Sequence, residues 1–222
     1  MSEVVFLGSG GGRYTTILQK RATGGMRLNA SLNIHIDPGP GAIVKSNEYG
    51  ENPFSLDGVF VSHRHPDHCS DLEVVIEAIT KGMRQKRGFI IGSSSVIEQK
   101  SKYSPALSEY HLSMLDKVIV MKDGDMTKLG DLTLKTVGMV HSDKSTIGVI
   151  IRCDSWSFGY IPDTEYREKI ANMFRDVDVL VVNVVRPDNL RIPFHMTTEA
   201  VSYTHLRAHE TSLHLVCRLL LE

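Results

Sequence analysis

Cysteine is scarce in this chain of 222 residues: Cys69, Cys153 and Cys217 are too few and too scattered to form the disulfide framework of a small secreted domain. No apolar run approaches the roughly 18 residues that cross a bilayer, and the start Met1-Ser2-Glu3 lacks the basic residues of a secretory leader. A cytoplasmic protein with no membrane partner is expected. Neither sign of charge is in excess, since 25 Lys and Arg face 26 Asp and Glu for a net charge of −1. That balance leaves no basic patch able to hold long nucleic acid through phosphate contacts alone. Repeats, linkers and low-complexity segments are missing as well. What remains is a globular composition, 41% hydrophobic, enough for a two-layer core.

The most informative segment is Val61-Ser62-His63-Arg64-His65-Pro66-Asp67-His68, directly after the apolar stretch Leu56 to Val61, which reads as a buried strand. His63 and His65 are two apart, so at an extended strand end they face one side and can share an ion. Asp67 and His68 follow the turn at Pro66 and can hold a second. Three imidazoles and a carboxylate so close together point to a metal site. Farther on, His141 ends the apolar run Leu132 to Val140, and Asp163 follows Phe158-Gly159-Tyr160-Ile161-Pro162 and precedes Thr164. Taken singly, the first is a strand-end histidine and the second a helix N-cap.

The His-x-His-x-Asp-His string resembles the signature of the metallo-β-lactamase superfamily. The resemblance implies two divalent ions, most simply zinc with manganese or iron as alternatives, and hydrolysis by a metal-held hydroxide. It places His63, His65 and His141 on the first ion and Asp67 and His68 on the second, with Asp163 bridging. It also gives Asp67 a second role in orienting the hydroxide. Asn33-Ile34-His35-Ile36-Asp37-Pro38-Gly39 is similar to the family element whose aspartate, here Asp37, braces the metal loop by outer hydrogen bonds. His35 alternates with Ile34 and Ile36 and reads as a sheet residue. His195, in Pro193-Phe194-His195-Met196-Thr197, resembles the family histidine that heads a helix beside the metals as proton donor or phosphate contact; an ordinary histidine at a helix start is the plainer reading.

The glycines of Val4-Val5-Phe6-Leu7-Gly8-Ser9-Gly10-Gly11-Gly12 do not follow the Gly-x-Gly-x-x-Gly spacing, and Tyr14 to Leu18 reads as extended, so a dinucleotide site is not expected. Further strands are predicted near 3–8, 14–20, 31–37, 57–62, 88–92, 117–121, 131–140, 146–153, 156–161 and 177–185. Helices are predicted near 70–83, 103–115 and 164–174. The fold class is α/β, and the resemblance implies an αββα sandwich of two mixed sheets with helices outside, over a domain of residues 1–200. From Val201 the sequence Val-Ser-Tyr-Thr-His-Leu-Arg-Ala-His-Glu-Thr resembles a translated sequencing adapter. Residues 201–222 are therefore expected to be a non-native tail, with the domain truncated before its last metal histidine and His205, His209 and His214 counted as no ligands.

Within the superfamily the start Phe6-Leu7-Gly8, the Ile36-Asp37 element and His195 look closer to phosphodiesterases, such as ribonuclease Z and the cyclic phosphodiesterase of phosphonate breakdown, than to lactamases. The similarity is greatest to a prokaryotic group known only as metal-dependent hydrolases. The interval from His141 to Asp163 is too short for the tRNA-gripping insertion of bacterial ribonuclease Z, so tRNA is not the expected partner. A small phosphodiester, cyclic or nucleotide-like, is. The alternatives are a thioesterase or lactonase on the same ions, or a one-metal or non-catalytic binding protein. The resemblance also allows a homodimer.

Overall fold

The computed structural model describes residues 2–99, 104–185 and 192–201, together with the backbone of 214–219. The chain divides into two compact units, Met1–Val120 and Met121–Glu222.

In the first unit a six-stranded sheet runs β1 (Glu3–Gly8), β2 (Thr23–Asn29), β3 (Asn33–Ile36), β4 (Gly58–Val61), β5 (Phe89–Gly92) and β6 (Lys117–Val120), in sequence order. The pairs β1–β2 and β2–β3 are antiparallel; from β3 to β6 every pair is parallel. Parallel strands are covered on both faces, so β4 and β5 are buried at every position. The crossovers carry α2 (Ala42–Glu48), α3 (Pro66–Cys69), α4 (Leu72–Ile79), α5 (Ser94–Ile97) and α6 (Glu109–Ser113), while α1 (Arg13–Leu18) links β1 to β2. Leu72, Val75, Ile76 and Ile79 recur at helical spacing on α4 and pack with Val59, Val61 and Ile90 into one core.

The second unit holds β7 (Met126–Leu129), β8 (Leu132–Gly138), β9 (Ile147–Arg152), β10 (Ser157–Ile161), β11 (Val179–Val184) and β12 (His214–Leu219), with α7 (Glu168–Met173) between β10 and β11. Its sheet is ordered β12-β11-β10-β9-β8-β7. β7 to β10 form an antiparallel meander, and β10, β11 and β12 are parallel. Ile161, Phe174, Val177, Leu180 and Val182 centre its core.

Several sequence expectations need correction. Residues 14–20 are not a strand: Gly12, at φ 76°, turns the chain, and its carbonyl accepts the first helical bond of α1, from the Thr16 amide. The helix expected over 70–83 is shorter, because the run Lys81, Gly82, Met83 takes positive φ, which ends α4. The helix expected from 164 begins only at Glu168. There the Glu165 amide bonds to the Val140 carbonyl and the Val140 amide to Thr164 Oγ1, which holds 164–165 in a non-helical course. Of the helix predicted over 103–115 the structure shows Glu109–Ser113, capped by Ser108 Oγ; Tyr103 lies outside the described residues. β2, α2, α3, α5 and β7 were not predicted. The expectations for residues from Ser202 onward, His205 and His209 included, lie outside the described residues, except that the backbone of 214–219 forms β12 where no element was predicted.

Candidate metal centre

In the first unit the residues with metal-binding chemistry collect at the carboxyl ends of two adjacent parallel strands. Asp37 directly follows β3 and Ser62-His63 directly follow β4, and the β3–β4 register brings them to one edge. Asp37 takes a left-handed φ of 51°, a conformation aspartate tolerates better than most side chains. Its carboxylate is buried and accepts three hydrogen bonds, from the Ser62 amide at 2.7 Å, the Ser62 hydroxyl at 2.6 Å and His68 Nδ1 at 2.7 Å.

This network sets the imidazole tautomers. Ser62 spends its single proton on Asp37, so in its 3.0 Å contact with His63 Nδ1 the histidine is the donor. Neutral His63 and His68 therefore both carry their proton on Nδ1 and present Nε2 as a lone pair. His63 Nε2 lies 3.0 Å from His65 Nδ1, His68 Nε2 lies 3.5 Å from Asp67 Oδ2, and the His63 ring is 4.5 Å from that of His65 and 4.3 Å from that of His68. Nitrogen lone pairs and a carboxylate gathered in this way, with the far ring nitrogens held by an outer carboxylate network, are the donor set a divalent ion requires.

The loop itself is tightly held. Pro66 opens α3 with His65 at its N-cap, which puts Asp67 in the first turn. The Gly12 amide donates to Asp67 Oδ2 at 2.7 Å. Burial pushes the Cys69 thiol up to about 11, so it stays protonated and can donate to the carbonyls of Arg64 and His65. Gly39 has the Asp67 and Thr23 carbonyl oxygens 2.0 and 2.3 Å from where a Cβ would stand. Gly39→Ala is expected to cost about 1–3 kcal/mol by overpacking and to weaken divalent-metal uptake along with it; urea unfolding and metal titration of the variant are the checks. His35 stays apart from the cluster, fully buried within β3, its Nε2 donating to the Gly24 carbonyl at 2.8 Å.

The second unit gathers His141, Asp163 and His195. His141 follows β8 and donates through Nδ1 to the Phe194 carbonyl at 3.2 Å, so its Nε2 is the lone-pair atom and lies 3.7 Å from Asp163 Oδ2. His195 behaves alike: Nδ1 donates to the Pro193 carbonyl at 2.9 Å and Nε2 is 3.5 Å from the same Asp163 oxygen. The other oxygen of Asp163 accepts from Asn183 Nδ2 at 2.6 Å. His195 does not head the helix that follows it; residues 198–201 are helical, and Thr197 Oγ1 accepts from the Ala200 amide at their start.

Sequence reasoning missed Ser62, Gly12 and Asn183. Asn183 had a signal, as the one polar residue in the apolar strand Val179–Val184, and Ser62 stands next to His63. Nothing local marks Gly12, whose bond to Asp67 spans 55 residues.

Residues 32–216 match the beta-lactamase superfamily domain. The chain belongs to that superfamily. It is 44% identical over 195 residues, 87% of this chain and 73% of the relative, to the uncharacterized protein MJ1374 of Methanocaldococcus jannaschii. Among solved structures it is similar to the metallo-β-lactamase fold protein YhfI from Bacillus subtilis, at TM-score 0.77, 20% identity, and coverage of 96% of this chain and 85% of that one. A diphosphatase of the PhnP family follows at 0.68, 15%, 98% and 88%, and the short form of human tRNase Z at 0.70, 13%, 98% and 92%. The α/β class with two mixed sheets and helices is thus the metallo-β-lactamase fold. By family the protein is a hydrolase of this superfamily, and its His/Asp clusters are of the kind that bind divalent metal. Among the described residues no helix is long and apolar enough to cross a membrane.

Proposed function

We propose that this superfamily member is a phosphodiesterase acting on a small diester with two divalent ions, zinc being the natural choice for so nitrogen-rich a donor set. His63, His65, Asp67 and His68 in the first unit, and His141 and Asp163 in the second, are the residues that would hold the metal. The observation that carries the proposal is the Asp37 network, which fixes two imidazoles in the tautomer a metal requires. The solved PhnP-family diphosphatase and tRNase Z, which share the fold, favour a phosphate ester over a lactam as substrate.

Divalent ions bound there supply acidity to water and positive charge to a phosphoryl oxygen. The remaining work falls to side chains. Asp67, anchored by the Gly12 amide, orients the attacking water and accepts its proton. His195 keeps Nδ1 on the Pro193 carbonyl, so Nε2 is the atom that binds the phosphate or carries a proton to the leaving oxygen. Asn183 holds Asp163 in one orientation.

The test is turnover of bis(p-nitrophenyl) phosphate beside a p-nitrophenyl thioester analogue, after chelation and again after zinc is restored. Diester turnover that vanishes on chelation, returns with zinc and falls at least about 100-fold in His63→Ala is expected. Faster metal-dependent thioester turnover would instead assign the carbonyl chemistry of a thioesterase, and zinc uptake with turnover of neither would assign a binding protein.

A further inference from the structure

α1 is a six-residue helix with no buried side chain. A helix this short does not persist in water by itself and ordinarily owes its stability to a packed apolar face. Here that face is bare: Tyr14, Ile17 and Leu18, at helical spacing, are 74%, 76% and 58% exposed. Single exposed apolar residues need no explanation, but a contiguous triplet marks a place where something docks.

Two contacts put this helix beside the candidate metal centre. Gly12, its N-cap residue, donates to Asp67 Oδ2 at 2.7 Å. α1 also touches α3, the helix that carries Asp67 and His68. Charge adds a third observation. The segment from 13 to 21 contains Arg13, Lys20 and Arg21 and no carboxylate, and both Arg13 and Lys20 are exposed. An apolar face flanked by cations next to the candidate metal centre is complementary to an anion that carries an apolar arm.

Building on the phosphodiesterase reading, we propose that α1 is the element that selects the substrate. Tyr14, Ile17 and Leu18 cover an aromatic or long alkyl arm of a phosphodiester whose phosphate sits by Asp67 and His68, and Arg13 and Lys20 add attraction for its charge. The substrate class is therefore an aryl-bearing or long-chain diester. A compact diester gains nothing from this helix.

The experiment is calorimetric titration of the zinc-loaded full chain with diphenyl phosphate and with dimethyl phosphate. The expected result is at least about tenfold tighter binding of the diphenyl ester, a preference that falls to near unity in the double variant Tyr14→Ser, Ile17→Ser and survives in Tyr14→Phe, Ile17→Val. Circular dichroism melts of both variants check that the fold persists. Equal binding of the two esters by the unaltered protein overturns the inference and leaves the phosphodiesterase reading standing, as does a preference that the serine pair does not reduce. Zinc uptake with binding of neither ester removes both. A dimer that the serine pair turns into monomer in sedimentation would give the face to a second copy of the chain and overturn the assignment to substrate.

Discussion

Asp37→Ala is expected to lower the stability of the protein by about 3–5 kcal/mol and its zinc affinity by about 10–100-fold. The buried carboxylate satisfies the Ser62 amide, the Ser62 hydroxyl and His68 Nδ1 at once, and alanine leaves all three donors in an interior that gives them no water. The affinity loss has a separate cause, which Asp37→Asn, a substitution that preserves shape, is expected to isolate. One amide oxygen cannot accept all three bonds, and the amide nitrogen offers protons where Ser62 and His68 need an acceptor. His68 then has reason to carry its proton on Nε2, the atom a metal must use. The asparagine variant should therefore retain more stability than alanine in urea unfolding yet lose zinc comparably in competition with a chromophoric chelator. Asparagine with unaltered zinc affinity would refute the tautomer account.

The second large effect is an acid limb of stability that arises from His35. Burial holds its pKa down at about 4; the bond to the Gly24 carbonyl opposes that shift and the nearby Arg27 charge adds to it. Unfolded, the same imidazole titrates near 6.5. Between these values the unfolded chain binds a proton that the folded chain refuses, so the contribution of neutral His35 is fully present above pH 6.5 and is lost as pH falls toward 4. The lowering from 6.5 to about 4 corresponds to roughly 3 kcal/mol. His35→Leu removes the titration, so the stability difference between the variant and the parent should shift by about 2.5 kcal/mol, most of that amount, between pH 7.5 and 4.5. Urea midpoints measured in excess chelator isolate the effect from metal release, and parallel pH slopes for the two proteins would count against it.

Much of the candidate centre was legible because its chemistry is local. The string from His63 to His68 states both the residue types and a spacing, and no distant contact is needed to see that two imidazoles at i and i+2 on an extended strand end share a side. His141 and Asp163 were legible only through the resemblance, since each alone reads as an ordinary strand-end histidine or helix cap. Strands were clearest where they are buried on both faces, as in β4 and β5, because burial there demands an unbroken apolar run. β2 was missed because Gly24-Gly25 resembles a turn and Arg27 resembles a surface residue. In the structure Arg27 is buried, bonded to the Asn52 carbonyl and Ser55 Oγ and paired with Glu51. None of those partners is near it in sequence.

By itself, then, the sequence determined the kind of site, the residues that could ligate an ion and the α/β alternation that presents them at strand ends, because ligand chemistry and hydrophobic period are properties of short segments. Only the tertiary structure decided which nitrogen of His63 and His68 is left able to ligate, which amide anchors Asp67, and that α1 is a helix with its apolar face in solvent. Those depend on hydrogen-bond partners 25 to 55 residues away, such as Ser62 for Asp37 and Gly12 for Asp67. A proton on an imidazole or an amide's direction is settled by what the folded chain brings within 3 Å of it, and no local pattern carries that information.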